Sequence, residues 1–206
     1  MEEKNLSEGE SLHLIEQMIN RAKEEEKDSG WGWIIWGWLL FLASVFHYLM
    51  ILFDLKYGSR IWLAFGVISI LLVIYLIFRK WKGGGPSKVR TYTGELVDRI
   101  GVAFFISLIV MVIGNMTTGV GNTGEHFGYL LLLYGFWMYI HAAAFRFQLL
   151  RFGAFINWAG ALVIFIWHEE LGKNILLVHA ACVALGYLIP GYVARKKYSL
   201  QKKISA

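Results

Sequence analysis

The chain has 206 residues, of which 57% are apolar, 16% aromatic and only 17% charged, with a mean hydropathy of +0.51. These proportions lie well outside the soluble range and point to a multi-span membrane protein. A formal net charge of +5 accompanies one cysteine, Cys182, set in an apolar run, which excludes an internal disulfide and a thiolate zinc site.

In chain order, Ser7 is placed to cap a helix and Glu10, three residues on, to close a capping box, so a helix is expected over residues 7–27. Leu14, Ile15, Met18, Ile19 and Ala22 recur at the helical period and form one apolar stripe against a charged face. Residues 1–30 carry four Lys/Arg against nine Asp/Glu, a net of −5, which leaves +10 for the remainder. A helix that lies on anionic lipid has a basic polar face. This acidic one is therefore expected to bind protein through its stripe: the basic loops of its own membrane domain, a second copy, or a separate cytoplasmic partner. Gly30 suits the left-handed position that ends the helix.

Residues 31–53 follow, WGWIIWGWLLFLASVFHYLMILF, without an acidic or basic side chain apart from His47. At ~1.5 Å rise per residue the run crosses a hydrocarbon core of ~30 Å with some tilt. Trp31, Trp33, Trp36 and Trp38 at its start are amphipathic rings that settle at headgroup depth. The charged segment of thirty residues before it, and the missing small-residue cleavage pattern, argue against a secretory signal peptide. Further spans are expected over residues 61–78, 100–116, 127–145, 152–167 and 174–193, with residues 195–206 as a basic tail. Gly83-Gly84-Gly85-Pro86 marks the one clear linker. The fold class is thus an all-α integral membrane protein, six transmembrane helices preceded by an amphipathic helix over residues 1–30.

Orientation follows from Lys and Arg, which cytoplasmic loops hold in excess. With the N-terminus inside, the inner segments hold 17 of the 20, and the outer loops only Lys56, Arg60 and Lys173. Both termini are expected in the cytoplasm. The basic balance is then a topology signal and an attraction to headgroups, and no direct contact with nucleic acid is expected. Gly153, Ala154, Gly160 and Ala161, with Ala142–Ala144 and with Ala180, Ala181, Ala184 and Gly186, let helices approach closely, so spans four to six are expected to form the tight core. Pro190 and Gly191 are expected to kink or end the last span.

The capped segment LSEGESLHLIEQMINRAK, the first-span WGWIIWGW, the turn FRFQLLRFGAFINWAGA and the ending IPGYVARKK together resemble a family of small inner-membrane proteins of Gram-negative bacteria, uncharacterised as to activity. The resemblance covers nearly the whole chain. It implies a location in the bacterial inner membrane, and, because such proteins are often encoded beside a small winged-helix regulator, a regulatory role. It implies no chemistry, and the histidines are not part of it.

Ionisable groups at membrane depth are costly and are the place to look for function. His47 and His179 lie about two turns inside the outer face, His126 and His168 at outer helix ends, and Glu125, Glu169, Glu170 and Asp54 on the same side. These are ligand types for zinc or another divalent metal, and a His47/His179 pair has the chemistry of axial haem ligands. No HxxxH or HExxH spacing fixes them locally, so any metal or haem site depends on tertiary packing, and packing histidines are the commoner outcome. The phosphate-binding glycine loop with its Lys, the GxSxG elbow and paired carboxylates within a span are all missing, so catalysis is not expected. Two functions remain: a regulatory or interaction protein presenting its N-terminal helix at the cytoplasmic face, and a small transporter or ligand-binding protein using the outer His/Glu level.

Overall fold

The computed structural model describes residues 30–55, 60–82, 92–118 and 124–204, together with Gly9, Leu12, His13 and Glu16, which are helical and exposed. The stripe Leu14, Ile15, Met18, Ile19 and Ala22 lies outside the described residues, as do the capping residues Ser7 and Glu10 and the glycine linker.

Among the described residues every regular element is helical: α1 Trp31–Leu52, α2 Arg60–Lys82, α3 Tyr92–Thr118, α4 His126–Ala144, α5 Gln148–Leu171, α6 Ile175–Val183 and α7 Ile189–Ile204. A 3₁₀ turn, Gly172–Asn174, separates α5 from α6, and one π-helical turn, Ala184–Leu188, joins α6 to α7. Four helical stretches are long and apolar enough to cross a membrane: Trp31–Leu52, Tyr92–Asn115, His126–Ala144 and Gln148–Leu200; Arg60–Tyr75 is a shorter apolar helix. The stretch of 53 residues from Gln148 to Leu200 is not one rod. Trp167 leaves helical geometry at φ −120°, and Gly172 takes φ +47°, reversing the chain there.

Two helix ends close in the same way without glycine. Asp54 adopts φ +51° while the Leu55 amide bonds back to the Met50 carbonyl, and Arg146 adopts φ +51° while the Phe147 amide bonds back to Ala142. Each is the six-to-one closure of a Schellman motif, which recovers a carbonyl that the helix end would leave unpaired. The second closure makes the α4–α5 connection only three residues long and sets those helices antiparallel.

The α4–α5 hairpin is the most extensive contact in the molecule, and the α6–π–α7 rod lies against it and against α1. Small residues make the approach possible: Gly153, Ala154, Gly160 and Ala161 of α5 and Ala142 of α4 are buried. The core therefore holds the three expected helices and also α1, whose Trp33, Ile34, Leu40, Ala43 and Ser44 are buried. α2 packs chiefly on α1, and α3 on α4, where Val97, Gly101 and Phe104 are its buried residues.

Pro190 does not end the last helix. It lacks an N–H, which deprives the Gly186 carbonyl of its usual partner, and the strain is taken up by the π turn immediately before it. The helix then continues to Ile204, past the expected end at residue 193.

Candidate functional site

Where α1 meets α6, the small side chains Ala43 and Ser44 let the helices close on His179, and Ser44 and His179 are both fully buried. Ser44 Oγ lies 2.9 Å from the Leu40 carbonyl, one turn back on its own helix, and 2.7 Å from His179 Nδ1. A hydroxyl has one proton, and a carbonyl can only accept. Both contacts are satisfied when Ser44 donates to Leu40 and His179 Nδ1–H donates to Ser44 Oγ. His179 Nε2 is then a bare lone pair, buried and with no hydrogen-bond partner.

Aromatic rings pack around the imidazole. Trp62 of α2 and Phe127 and Tyr134 of α4 meet the imidazole at 6.0, 5.2 and 6.0 Å between centroids, all steeply tilted. Trp62 Nε1–H in turn donates to His47 Nδ1 at 2.9 Å, tying α2 to α1. That bond requires Nδ1 of His47 to be unprotonated, so in its neutral form His47 carries its proton on Nε2. His126 packs on Phe127 at 4.1 Å, and its Nδ1 also lacks a partner. His47, His126 and His179 thus gather around Trp62 and Phe127.

His168 is drawn elsewhere: its Nε2 lies 3.1 Å from Glu125 Oε1, bridging the end of α5 to the start of α4, with each side chain about one third exposed. Partly exposed pairs of this kind contribute roughly 0–1 kcal/mol. Glu169 and Glu170 are exposed and join neither group. Among the described residues no three His, Cys, Asp or Glu side chains are grouped closely enough to hold a metal ion. An axial haem pair is not assembled either, since the Nδ1 lone pair of His47 is taken by Trp62 while Nε2 of His179 is buried without a partner.

Sequence reasoning found His47, His126 and His179 but missed Ser44, Trp62, Phe127 and Tyr134, which give them their geometry. A signal existed for Ser44: it is three residues before His47, one helical turn away, and the only Ser or Thr in an otherwise apolar run. An open apolar groove of about 480 Å³ between α3, α4 and α5, lined by Ser107, Met111, Leu132, Phe136 and Trp158 among others, contains no His, Cys, Asp or Glu.

The opposite end of α1 forms a second built feature. Gly30 takes φ +72°, and a Cβ there would lie 2.4 Å from the Gly191 carbonyl oxygen and 2.8 Å from the Arg195 amide. The Arg195 guanidinium stacks over Trp31 at 4.8 Å and Lys197 over Phe147 at 5.7 Å. Trp38 Nε1–H donates to the Tyr192 hydroxyl at 3.0 Å. The first turn of α1, the α4–α5 turn with its exposed Arg146, and Arg195, Lys196 and Lys197 of α7 thus share one basic end of the bundle.

Compared with known proteins, the chain matches no protein-family model, and no curated protein or solved structure matches it.

Proposed function

We propose that the chain is a non-enzymatic six-span protein of a bacterial inner membrane, with both termini in the cytoplasm, that presents its N-terminal segment at the cytoplasmic face as a regulatory interaction element. The observation that carries this reading is the Gly30 junction. The chain enters α1 through Gly30, which lies so close to the Gly191 carbonyl and the Arg195 amide of α7 that a Cβ would not fit there. A segment of net −5 is thereby joined to the bundle beside Arg195, Lys196 and Lys197, and opposite charges within about a Debye length, ~8 Å at physiological salt, attract each other. The apolar stripe needs cover as well, since each large aliphatic side chain gains roughly 1.5–3 kcal/mol on full burial. Docking of residues 7–27 on the basic end satisfies both faces, and a cytoplasmic partner or a second copy competes for the same stripe.

Replacement of Ile15 and Ile19 by Asp tests this. The double variant is expected to insert normally and to lose amide protection over residues 7–27, together with any partner recovered through that segment. Equal, absent protection in wild type and variant, with and without cell extract, defeats the reading. The topology has its own check: a cysteine in place of Asn122, with Cys182 replaced by Ser, is expected to react with an impermeant maleimide added from the periplasmic side. Labelling only after the inner face is opened reverses the orientation.

A further inference from the structure

The indole of Trp62 occupies a slot between two imidazoles that both act as acceptors. It donates its single N–H to His47 Nδ1, and its ring lies against His179, whose Nε2 accepts from nothing. One acceptor is satisfied and the other is left over. Burying an acceptor unpaired is unfavourable, and Ser44 and Leu40 hold this one in a fixed tautomer. Phe127 meets both the indole and the His179 ring at 5.2 Å, and Tyr134 covers His179 at 6.0 Å, so the surroundings are aromatic.

Trp62 is also the wall best able to move. It comes from α2, which packs chiefly on α1 and has no fully buried residue among those described, and Trp62 is itself only half-buried. A swing of α2 away from α1 gives up that hydrogen bond and the contacts of the indole with Phe127 and His179, and on the membrane reading it opens the slot toward the bilayer. An occupant arriving by that route is lipid-soluble. To match aromatic walls it is flat, and to satisfy two acceptors it brings two donors. A cation is a poor match, because no third His, Cys, Asp or Glu joins the two imidazoles among the described residues; an anion would face lone pairs.

We infer that the slot filled by Trp62 between His47 and His179 is a binding site for a lipid-soluble quinol, whose two hydroxyls donate to His47 Nδ1 and His179 Nε2 while its ring takes the place of the indole. The inference rests on the membrane reading above, but not on the role of the N-terminal segment. It carries a redox selectivity that packing histidines would not show. A quinone has the same ring and tail but only carbonyl acceptors, which would face two further acceptors.

The test uses the full chain in phosphatidylcholine nanodiscs, titrated anaerobically with decylubiquinol or decylubiquinone, with empty nanodiscs subtracted. Two hydrogen bonds gained only by the reduced form correspond to a preference of roughly thirtyfold. Trp62→Ala removes the competing indole and is expected to tighten quinol binding, whereas His179→Phe, which leaves only the bond to His47, is expected to cut the preference to roughly fivefold. Because the histidine variant risks misfolding, the wild type carries a second readout. In ¹⁵N spectra of labelled histidine, His47 Nδ1 and His179 Nε2 are both unprotonated before addition, and the His179 Nε2 resonance shifts toward the hydrogen-bonded range with decylubiquinol and not with decylubiquinone. Equal uptake of both forms, weaker quinol binding in Trp62→Ala, or an unshifted Nε2 resonance overturns the site. A chain that fails to co-elute with nanodiscs overturns the membrane reading along with it.

Discussion

Gly153→Ala is expected to lower the melting temperature of the detergent-solubilised protein by roughly 2–12 °C, and Gly153→Leu to prevent the bundle from closing. A Cβ at residue 153 would stand 2.5 Å from Met138 Cε, 2.8 Å from the Gly186 carbonyl oxygen and 3.1 Å from Gly186 Cα. The methionine can turn aside, but the Gly186 backbone cannot. Gly186 lies in the π turn, and Asn157, fully buried one turn further along α5, donates to the Gly153 carbonyl at 2.8 Å and to Met138 Sδ at 3.4 Å. Helices in lipid gain little from excluding water, so they rely on this kind of close backbone approach. Overpacking a well-filled core costs about 1–3 kcal/mol, which for a chain of this size gives the stated shift. Gly66→Ala is the control, because nothing lies within 4 Å of its added Cβ. Equal melting of Gly153→Ala and Gly66→Ala would show that the crossing of α5 and the π turn does not hold the core.

How much of this was legible in the sequence depends on whether the signal is local. The charge-free run from Trp31 marks α1 to within a residue or two, because a stretch of that length is sufficient to span a bilayer and too apolar to face water on any side. The packing of α4, α5 and α6 was legible from Gly153, Gly160 and the alanines. The place of α1 in the core was not, since its small residues Gly37, Ala43 and Ser44 are dispersed among bulky ones. Pro190 on its own favours an end or a kink, yet a helix held on several sides by neighbours absorbs one lost hydrogen bond by widening a single turn. Counting residues from the ends of their spans puts His47 and His179 at one level. Their meeting around Trp62 depends on the rotation of α2 and α6 about their axes, which no spacing within either helix encodes. Ser44 stands out as the only Ser or Thr in its run, one turn from His47, but that signal does not name His179 as the group it faces.

Gly30→Val is expected to produce the second large effect, and it joins the fold to the proposed function. Valine is disfavoured at φ +72° by roughly 1–2 kcal/mol from local sterics alone. Its Cβ would also lie within 2.8 Å of two backbone atoms of α7, the Gly191 oxygen and the Arg195 nitrogen, and 3.0 Å from Ala194 Cβ. Moving to an ordinary φ redirects the chain before Trp31, while keeping φ pushes α7 off α1. Either response breaks the stacking of Arg195 on Trp31 and carries residues 1–29 away from the basic end. Gly32→Val is the matched control: the same side chain enters the same segment two residues later, where no atom lies within 4 Å. The measurement is paired. Melting temperature reports the α1–α7 junction, and hydrogen exchange over residues 7–27 reports docking of the acidic segment. Gly30→Val is expected to lower the first and raise the exchange, while Gly32→Val leaves exchange at the wild-type level. Should Gly30→Val melt early but keep the segment protected, the junction is a structural lock alone and the segment docks without it. Should the two variants prove indistinguishable in both measurements, Gly30 does not fix how the N-terminal segment leaves the bundle, and the geometric support for presentation at the basic face falls with it.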